Sequence, residues 1–303
     1  MDDRGEPVVW LAASDTPAYF LPARSASLPL DDRGLRYGDG LFETMRVHRG
    51  GVPLIERHLA RLRDGLRTLS FPELALSDLE IVQGCVETAR RNGVQSGFLR
   101  LAVSRCGGTR GFAAPSSASW RMIAEVGPMD GPLDMPAPLA CVFAPWRQDP
   151  SYPGSRLKSW SALDKVLAMQ HALAVGADEC LFLNTSAHLV EGTRANVFAV
   201  VADELITPDM ASGPLPGIAR GLVLELARRS GMTVREAKLP ESLVSEASEM
   251  FLTSALRGIV PVRAVAGHAL PAAPGPVTRT VRQLVEAAIE QAAEDSAWPP
   301  ETL

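Results

Sequence analysis

RLKSWSALDKVLAMQHALAVGA (156–177), running into DECLFLNTSAHLVEGTRANVF (178–198), is the stretch on which the fold turns. Within it, 161–177 carries apolar residues at helical period and closes on Gly176, so it reads as an amphipathic helix. CLFLN, HLV, VFAVV and LIT follow as short strands. Just ahead, WRQDPSYPGS (146–155) holds two prolines, a glycine and small polar residues, the composition of a linker. The sequence therefore divides into an N-terminal domain over 1–145, a linker over 146–156 and a larger C-terminal domain over 157–303. Lys158 falls at the junction.

The pattern continues in both directions. Towards the N-terminus, VVWLA (8–12), LFETMRVH (41–48), FLRLAVSR (98–105), RMIAEV (121–126) and LACVFA (139–144) read as strands. Residues 54–69 and 77–92 read as helices, and DDRGLRYGDG (31–40) and CGGTRGFAAP (106–115) as glycine-rich loops. Gly50-Gly51 suits a hairpin turn. Towards the C-terminus, IARGLVLELARRSG (218–231) and 277–293 read as helices, MFLTSAL (250–256) as a strand, and SAWPPETL as a frayed tail. Strands and helices mix in both halves, so the expected class is α+β with two domains. A Gly-x-Gly-x-x-Gly turn between strand and helix is missing, which counts against a dinucleotide fold.

Composition narrows the function. The chain has 303 residues and a formal net charge of −5. That mild acidity argues against a nucleic-acid partner, which a basic patch would mark. No apolar run reaches the ~18 residues of a membrane span, and MDDRGEPVVW lacks the basic-then-apolar pattern of a secretory signal. Four cysteines without paired spacing suit a reducing, cytoplasmic setting. The five histidines show no ligand spacing, so no metal is expected. There is no phosphate-binding P-loop and no Gly-x-Ser-x-Gly elbow.

Of the 30 basic residues only Lys158, Lys165 and Lys238 are lysines. Lys165, inside the helix, reads as a solvated or snorkelling side chain, and Lys238 as a surface residue. Lys158 stands between Leu157 and Trp160 at the junction, where a cleft and a neutral amine are plausible, although a plain surface lysine is the commoner outcome. EGTRANVF (191–198) sets Glu191, able to pair with a cationic ring nitrogen, beside Thr193, whose hydroxyl could meet an anion. A strand-to-strand turn is the ordinary use of such a run. PLPGIARGLVLELA (214–227) breaks at Pro216-Gly217 and starts a helix at Ile218, whose free N–H groups could hold an anion. Arg61 and Thr253-Ser254 could add charge and hydroxyls. An amine, a carboxylate, then an anion cradle is the set of groups that pyridoxal phosphate requires.

These segments, together with DRGLRYGDGLFETMRV, HLARL and FLTSALRGIVPV, resemble the class IV aminotransferase family of fold-type IV pyridoxal-phosphate enzymes over residues 28–268. That family includes branched-chain aminotransferase, D-amino-acid aminotransferase and 4-amino-4-deoxychorismate lyase. The resemblance implies pyridoxal 5'-phosphate as cofactor and Lys158 as the Schiff-base lysine and proton shuttle. It implies Glu191 at the pyridine nitrogen, and a phosphate cradle of Arg61, the backbone N–H groups of Ile218 and Ala219, and Thr253 or Ser254. Thr193 and Asn196 are further cofactor-side candidates. A homodimer with an active site between its domains, completed by the partner chain, is implied as well.

Substrate class rests on fewer residues. The loop SRCGGTRGFAAP lacks the Arg-x-His of D-amino-acid aminotransferases and is similar to the SRG-x-GGRGY run of the lyases, with Arg110 at the arginine and Phe112 at the tyrosine. Phe42 stands where D-amino-acid enzymes carry a tyrosine, Ser254 where an asparagine is common, and Lys158-Ser-Trp-Ser161 replaces Lys-x-x-Asn. Arg36, Arg105 and Arg110 are the candidate carboxylate binders, with Phe42 beside them. The expected activity is 4-amino-4-deoxychorismate lyase, expelling pyruvate to leave 4-aminobenzoate. The alternatives are an aminotransferase for D-amino or branched-chain and aliphatic amino acids, and a non-catalytic two-domain binding protein.

Overall fold

The computed structural model describes residues 5–107, 110–115, 118–129 and 136–296. The 297–303 part of the expected frayed tail and Gly108-Thr109 of the glycine-rich loop lie outside the described residues. The chain forms two compact units. The first takes its described residues from Met1–Gly131, Lys158–Ser161 and Ile289–Leu303, the second from Pro132–Leu157 and Ala162–Ala288.

The first unit runs β1 (Val8–Ala13), β2 (Thr16–Pro22), α1 (Arg33–Tyr37), β3 (Gly40–His48), α2 (Ile55–Thr68), α3 (Asp78–Arg91), β4 (Ser96–Cys106) and β5 (Ser119–Pro128). Its strands make one antiparallel sheet in the order β2-β1-β5-β4-β3. The alternating residues Leu41, Met45 and Val47 of β3 are buried and α2 packs on that strand through Ile55, Leu59, Leu62 and Leu66. α3 starts on a capping box between Ser77 and Glu80 and buries Ile81, Cys85 and Ala89. β2, TPAYFLP, is an edge strand with two prolines, which lack the N–H that a ladder uses and are best tolerated at an edge. That is why its sequence does not announce a strand.

The second unit runs β6 (Leu139–Gln148), α4 (Leu163–Ala174), β7 (Glu179–Asn184), β8 (Leu189–Gly192), β9 (Asn196–Val201), β10 (Glu204–Pro208), α5 (Ile218–Arg229), β11 (Val234–Ala237), β12 (Glu249–Ser254), β13 (Gly258–Val265) and β14 (His268–Ala269). α6 (Pro276–Ser296) begins in it. A mixed sheet joins the strands in the order β11-β10-β9-β12-β13-β6-β7-β8, with β14 on β13. Its strands β7 and β8 are buried throughout, as near-continuous apolar runs require. One core groups Leu181, Leu183, Val197, Ile206, Leu252 and Val262, and a second groups Ala168 and Ala172 of α4 with Phe182 and Val190.

Two expectations change. The stretch 146–156 is not a linker between 1–145 and 157–303: β6 reaches Gln148 within the second unit's sheet, and Lys158–Ser161 belong to the first unit. The cause is pairing with β3. Phe42 N donates to Lys158 O at 2.9 Å, Trp160 N to Gly40 O at 3.0 Å, and the indole Nε1 of Trp160 to Leu41 O at 3.0 Å. The second change is α1, a short helix inside a run that reads as loop. Asp32 caps it by accepting from Leu35 N, and Gly38 ends it at φ 68°. Gly40 makes room as well: a Cβ there would lie 2.6 Å from Val103 O.

Among the described residues no helix is long and apolar enough to cross a membrane, and no group of three His, Cys, Asp or Glu could hold a metal ion.

Candidate active site

In the first unit, pairing with β3 fixes the backbone at Lys158, and its half-buried side chain puts Nζ 4.6 Å from the centroid of the Phe42 ring. Phe42 lies on one face of β3. On the same face, from the neighbouring strand, comes Arg100, whose guanidinium carbon is 3.8 Å from that centroid. Both approaches are cation–π contacts. Arg100 is not among the arginines expected from the sequence; its alternation with the apolar residues of β4 marks it as leaving the core.

The opposite face of β3 carries Glu43, 1% exposed in a row of buried apolar residues. A carboxylate there must be paired. His58 Nδ1 lies 2.6 Å from Glu43 Oε2, and Arg61 donates through Nε to Oε1 at 2.8 Å and through Nη2 to Oε2 at 2.5 Å. Burial alone would raise the Glu43 carboxyl. The hydrogen bonds from His58 and Arg61 and the guanidinium charge outweigh it and hold Glu43 below the usual range. Burial pushes His58 down, against the pull of Glu43, and the charges of Arg61 and Lys158 push the same way. His58 is thus a neutral ring that carries its proton on Nδ1, because ionised Glu43 can only accept. Arg61, expected to be a phosphate ligand, is oriented by this fork.

The arginines expected to bind substrate separate. Arg105 is buried, with Nε on Asp39 at 3.0 Å and its terminal nitrogens on the carbonyls of Ser70 and Leu69 at 3.0 and 2.7 Å. Those bonds fasten the end of α2 to β4, a structural task that leaves it badly placed to bind substrate. Arg36 at the end of α1 and Arg110 in the loop are exposed. That loop is tied down: Arg33 donates to Gly111 O at 3.0 Å and to Phe112 O at 2.9 Å, and Gly111 N donates to Tyr37 Oη at 3.1 Å.

In the second unit, Glu191 on β8 is 5% exposed. Its Oε2 accepts from Asn196 Nδ2 at 3.3 Å and from Leu215 N at 3.0 Å, while Lys165 Nζ stands 3.5 Å from Oε1. Lys165 is therefore not the freely solvated residue its helical position implies. Asn196 is an orienting residue for Glu191 and also donates to Leu215 O at 2.9 Å. Thr193 turns inward instead: its N and Oγ1 reach Glu179 Oε1 at 3.1 and 2.6 Å. α5 starts at Ile218 and Ala219 behind Gly217, with no side-chain cap on its first N–H groups. A Cβ at Gly217 would overlap Asn196 Oδ1. Thr253, opposite Asn196 in the β9–β12 register, is 2% exposed, and its Oγ1 has no hydrogen-bond partner among the described residues. Ser254 Oγ accepts from Arg257 N at 3.3 Å.

The amino-transferase class IV family matches residues 40–265, a span that contains the residues described in each unit. The chain belongs to the class IV aminotransferase family. It is 31% identical over 251 residues to a Methanocaldococcus jannaschii protein provisionally named branched-chain-amino-acid aminotransferase, covering 83% of this chain and 87% of the relative. To the D-alanine aminotransferase of Bacillus licheniformis it is 25% identical, over 87% of this chain and 92% of the relative. Among solved structures, a Legionella pneumophila protein provisionally named 4-amino-4-deoxychorismate lyase superposes with TM-score 0.82 at 28% identity, covering 88% and 97% of the two chains. The branched-chain aminotransferase of Escherichia coli superposes with TM-score 0.86 at 25% identity, covering 94% of each.

This class IV aminotransferase is a fold-type IV, pyridoxal 5'-phosphate-dependent enzyme. Its own residues fit the cofactor. A buried hydroxyl without a partner, Thr253 Oγ1, accompanies a helix start whose N–H groups lack a side-chain cap, as an anion requires. Glu191 keeps one oxygen engaged on Asn196 and Leu215 and presents the other beside Lys165.

Proposed function

We propose that the protein is a 4-amino-4-deoxychorismate lyase, with Lys158 as the catalytic amine. The observation that carries this reading is the SRCGGTRGF loop, similar to that of the lyases and anchored to α1 by Arg33 and Tyr37, with Arg110 and Arg36 exposed on it and on α1. A substrate with two carboxylates calls for more than one arginine. Arg100, beside the ring that Lys158 touches, is a third candidate, and Arg105 drops out because its guanidinium is committed to Asp39, Leu69 and Ser70.

Pyridoxal 5'-phosphate, when bound, supplies a carbon for amine attachment and a ring that draws electrons from the substrate carbon. Lys158 would hold it and, as the base, would take the proton from the amine-bearing ring carbon of the substrate. The electron pair left there breaks the bond from the ring to the enolpyruvyl oxygen and the substrate ring becomes aromatic; the departing enolpyruvate takes a proton on its methylene carbon, returned by Lys158 or water, and becomes pyruvate. Glu191 would pair with the ring nitrogen; Arg61, the first N–H groups of α5 and Thr253 would hold the phosphate. The His58 ring, held neutral by its lowered pKa, adds no positive charge to oppose proton uptake at Lys158.

Aminotransfer is the second reading, favoured by the branched-chain and D-alanine aminotransferases among the relatives. Proton removal by Lys158 is common to both. We also propose a cytoplasmic homodimer. Leu163, Val166, Leu167, Leu173 and Val175 on and just after α4 are exposed, an apolar face that a second copy would cover. All four thiols are free and buried. Light scattering that gives the mass of one chain would remove the dimer.

The deciding experiment supplies 4-amino-4-deoxychorismate to the holoenzyme without an amino acceptor and follows pyruvate and 4-aminobenzoate. Both products forming together, and neither in Lys158→Ala, is the expected result. Turnover of D-alanine or leucine only when 2-oxoglutarate is present, with no pyruvate released from the first substrate, overturns the lyase reading in favour of aminotransfer.

A further inference from the structure

Among the described charged residues of the second unit, Lys165 is the cation that meets the Glu191 carboxylate. It projects from the first half of α4, whose Ala168 and Ala172 pack against β7 and β8 through Phe182 and Val190. Its Nζ lies 3.5 Å from Glu191 Oε1 and 5.9 Å from the centroid of the Phe182 ring, so the stem runs over a buried aromatic and the ammonium is aimed at the carboxylate. Glu191 has two oxygens with different neighbours. Oε2 is held by two neutral donors, Asn196 Nδ2 and Leu215 N. Oε1 faces a cation. A carboxylate that faces a full positive charge at that distance offers a third partner less negative potential than one held by amides alone.

We propose that Lys165 is a positioning residue that acts through Glu191: its ammonium tempers the negative charge that Glu191 offers the cofactor's ring nitrogen, and so sets how far that ring is held protonated. The inference rests on the reading of Glu191 as the ring-nitrogen partner. A protonated ring draws electrons more strongly from the substrate carbon, so a lysine here regulates the strength of the electron sink without touching substrate. A lyase gains from such restraint. Its product becomes aromatic on loss of pyruvate, and a milder sink suffices to release the single proton the reaction needs.

The size of the effect follows from Coulomb's law. A unit charge 3.5 Å from Glu191 Oε1, at an effective dielectric of about 20 and with the screening that a one-third-exposed ammonium meets, changes the ring's protonation equilibrium on the order of tenfold. The test reconstitutes the enzyme with pyridoxal 5'-phosphate labelled with nitrogen-15 in the ring and reads the ring resonance at one fixed pH. Lys165→Met is expected to move the resonance towards the protonated position. Lys165→Arg, which keeps the charge, is expected to leave it where the parent enzyme has it. Circular dichroism of each variant confirms folding. An unmoved resonance in Lys165→Met overturns the inference, and so does an equal movement in Lys165→Arg, which would assign the effect to side-chain shape. Either result leaves the cofactor reading standing. That reading fails separately, if Glu191→Gln holds the label with the parent affinity and the parent resonance.

Discussion

Replacing Glu43 by glutamine tests the network beneath Lys158 most sharply. The substitution keeps size and shape and removes one negative charge from a position that is 1% exposed. Three short hydrogen bonds converge there, one from His58 and two from Arg61. The amide can still accept through one oxygen, but its NH2 then faces a donor, and the Arg61 guanidinium, itself 13% exposed, loses its counter-charge. Breaking a buried ion pair from one side costs about 3–5 kcal/mol, and the acceptor that remains places Glu43→Gln near 3 kcal/mol. The measurement is urea unfolding of the apoprotein, followed by tryptophan fluorescence and extrapolated to water. The apoprotein is used because a bound cofactor would add its own linkage. The double variant Glu43→Gln, Arg61→Met completes a cycle: with both charges gone it is expected to lose less than the sum of the single variants. A loss below about 1 kcal/mol for Glu43→Gln, or strict additivity in the cycle, would refute the claim that an ionised buried carboxylate organises this site.

Three further outcomes are expected. His58 is held below its ordinary value of 6.5, so the unfolded chain binds a proton that the folded one refuses; stability is full above about pH 6.5 and falls as the pH drops below it, Glu43 adding a further loss below its ordinary 4.5. Thermal melts of the apoprotein between pH 8 and 4 check the sign, and His58→Gln flattens the upper part of that slope. Gly217→Ala puts a methyl group onto Asn196 Oδ1, at the residue that orients Glu191, and is expected to weaken cofactor retention about tenfold when measured by equilibrium dialysis. Burial pushes the Cys85 thiol up to about 12 and those of Cys106 and Cys180 to about 11, and raises Cys141 as well, so a disulfide reagent at pH 8 is expected to titrate none of the four until the protein is denatured.

Much of this enzyme is determined locally and can be read without coordinates. The period of 54–69 and 218–231, the Ser77–Glu80 box and the apolar runs of β7 to β10 each encode their own element, because helix and strand periodicity is a property of neighbours in sequence. The order of Lys158, Glu191, the Gly217 helix start and Thr253 is linear information too, and it suffices for family and cofactor. The rest depends on residues far apart in the chain. Lys158–Ser161 join the first unit because Gly38 and Gly40 let them pair with β3, which no pattern at 146–156 discloses. Pro261 conceals a central strand by lacking the donor that strands use. Arg105 looks like a ligand in sequence and is spent on Asp39, Leu69 and Ser70. Lys165 looks like a surface residue and stands beside Glu191. A side chain's charge is written in the sequence, but whether that charge meets a carbonyl, a carboxylate or a substrate is settled only when folding brings the partner within hydrogen-bonding range.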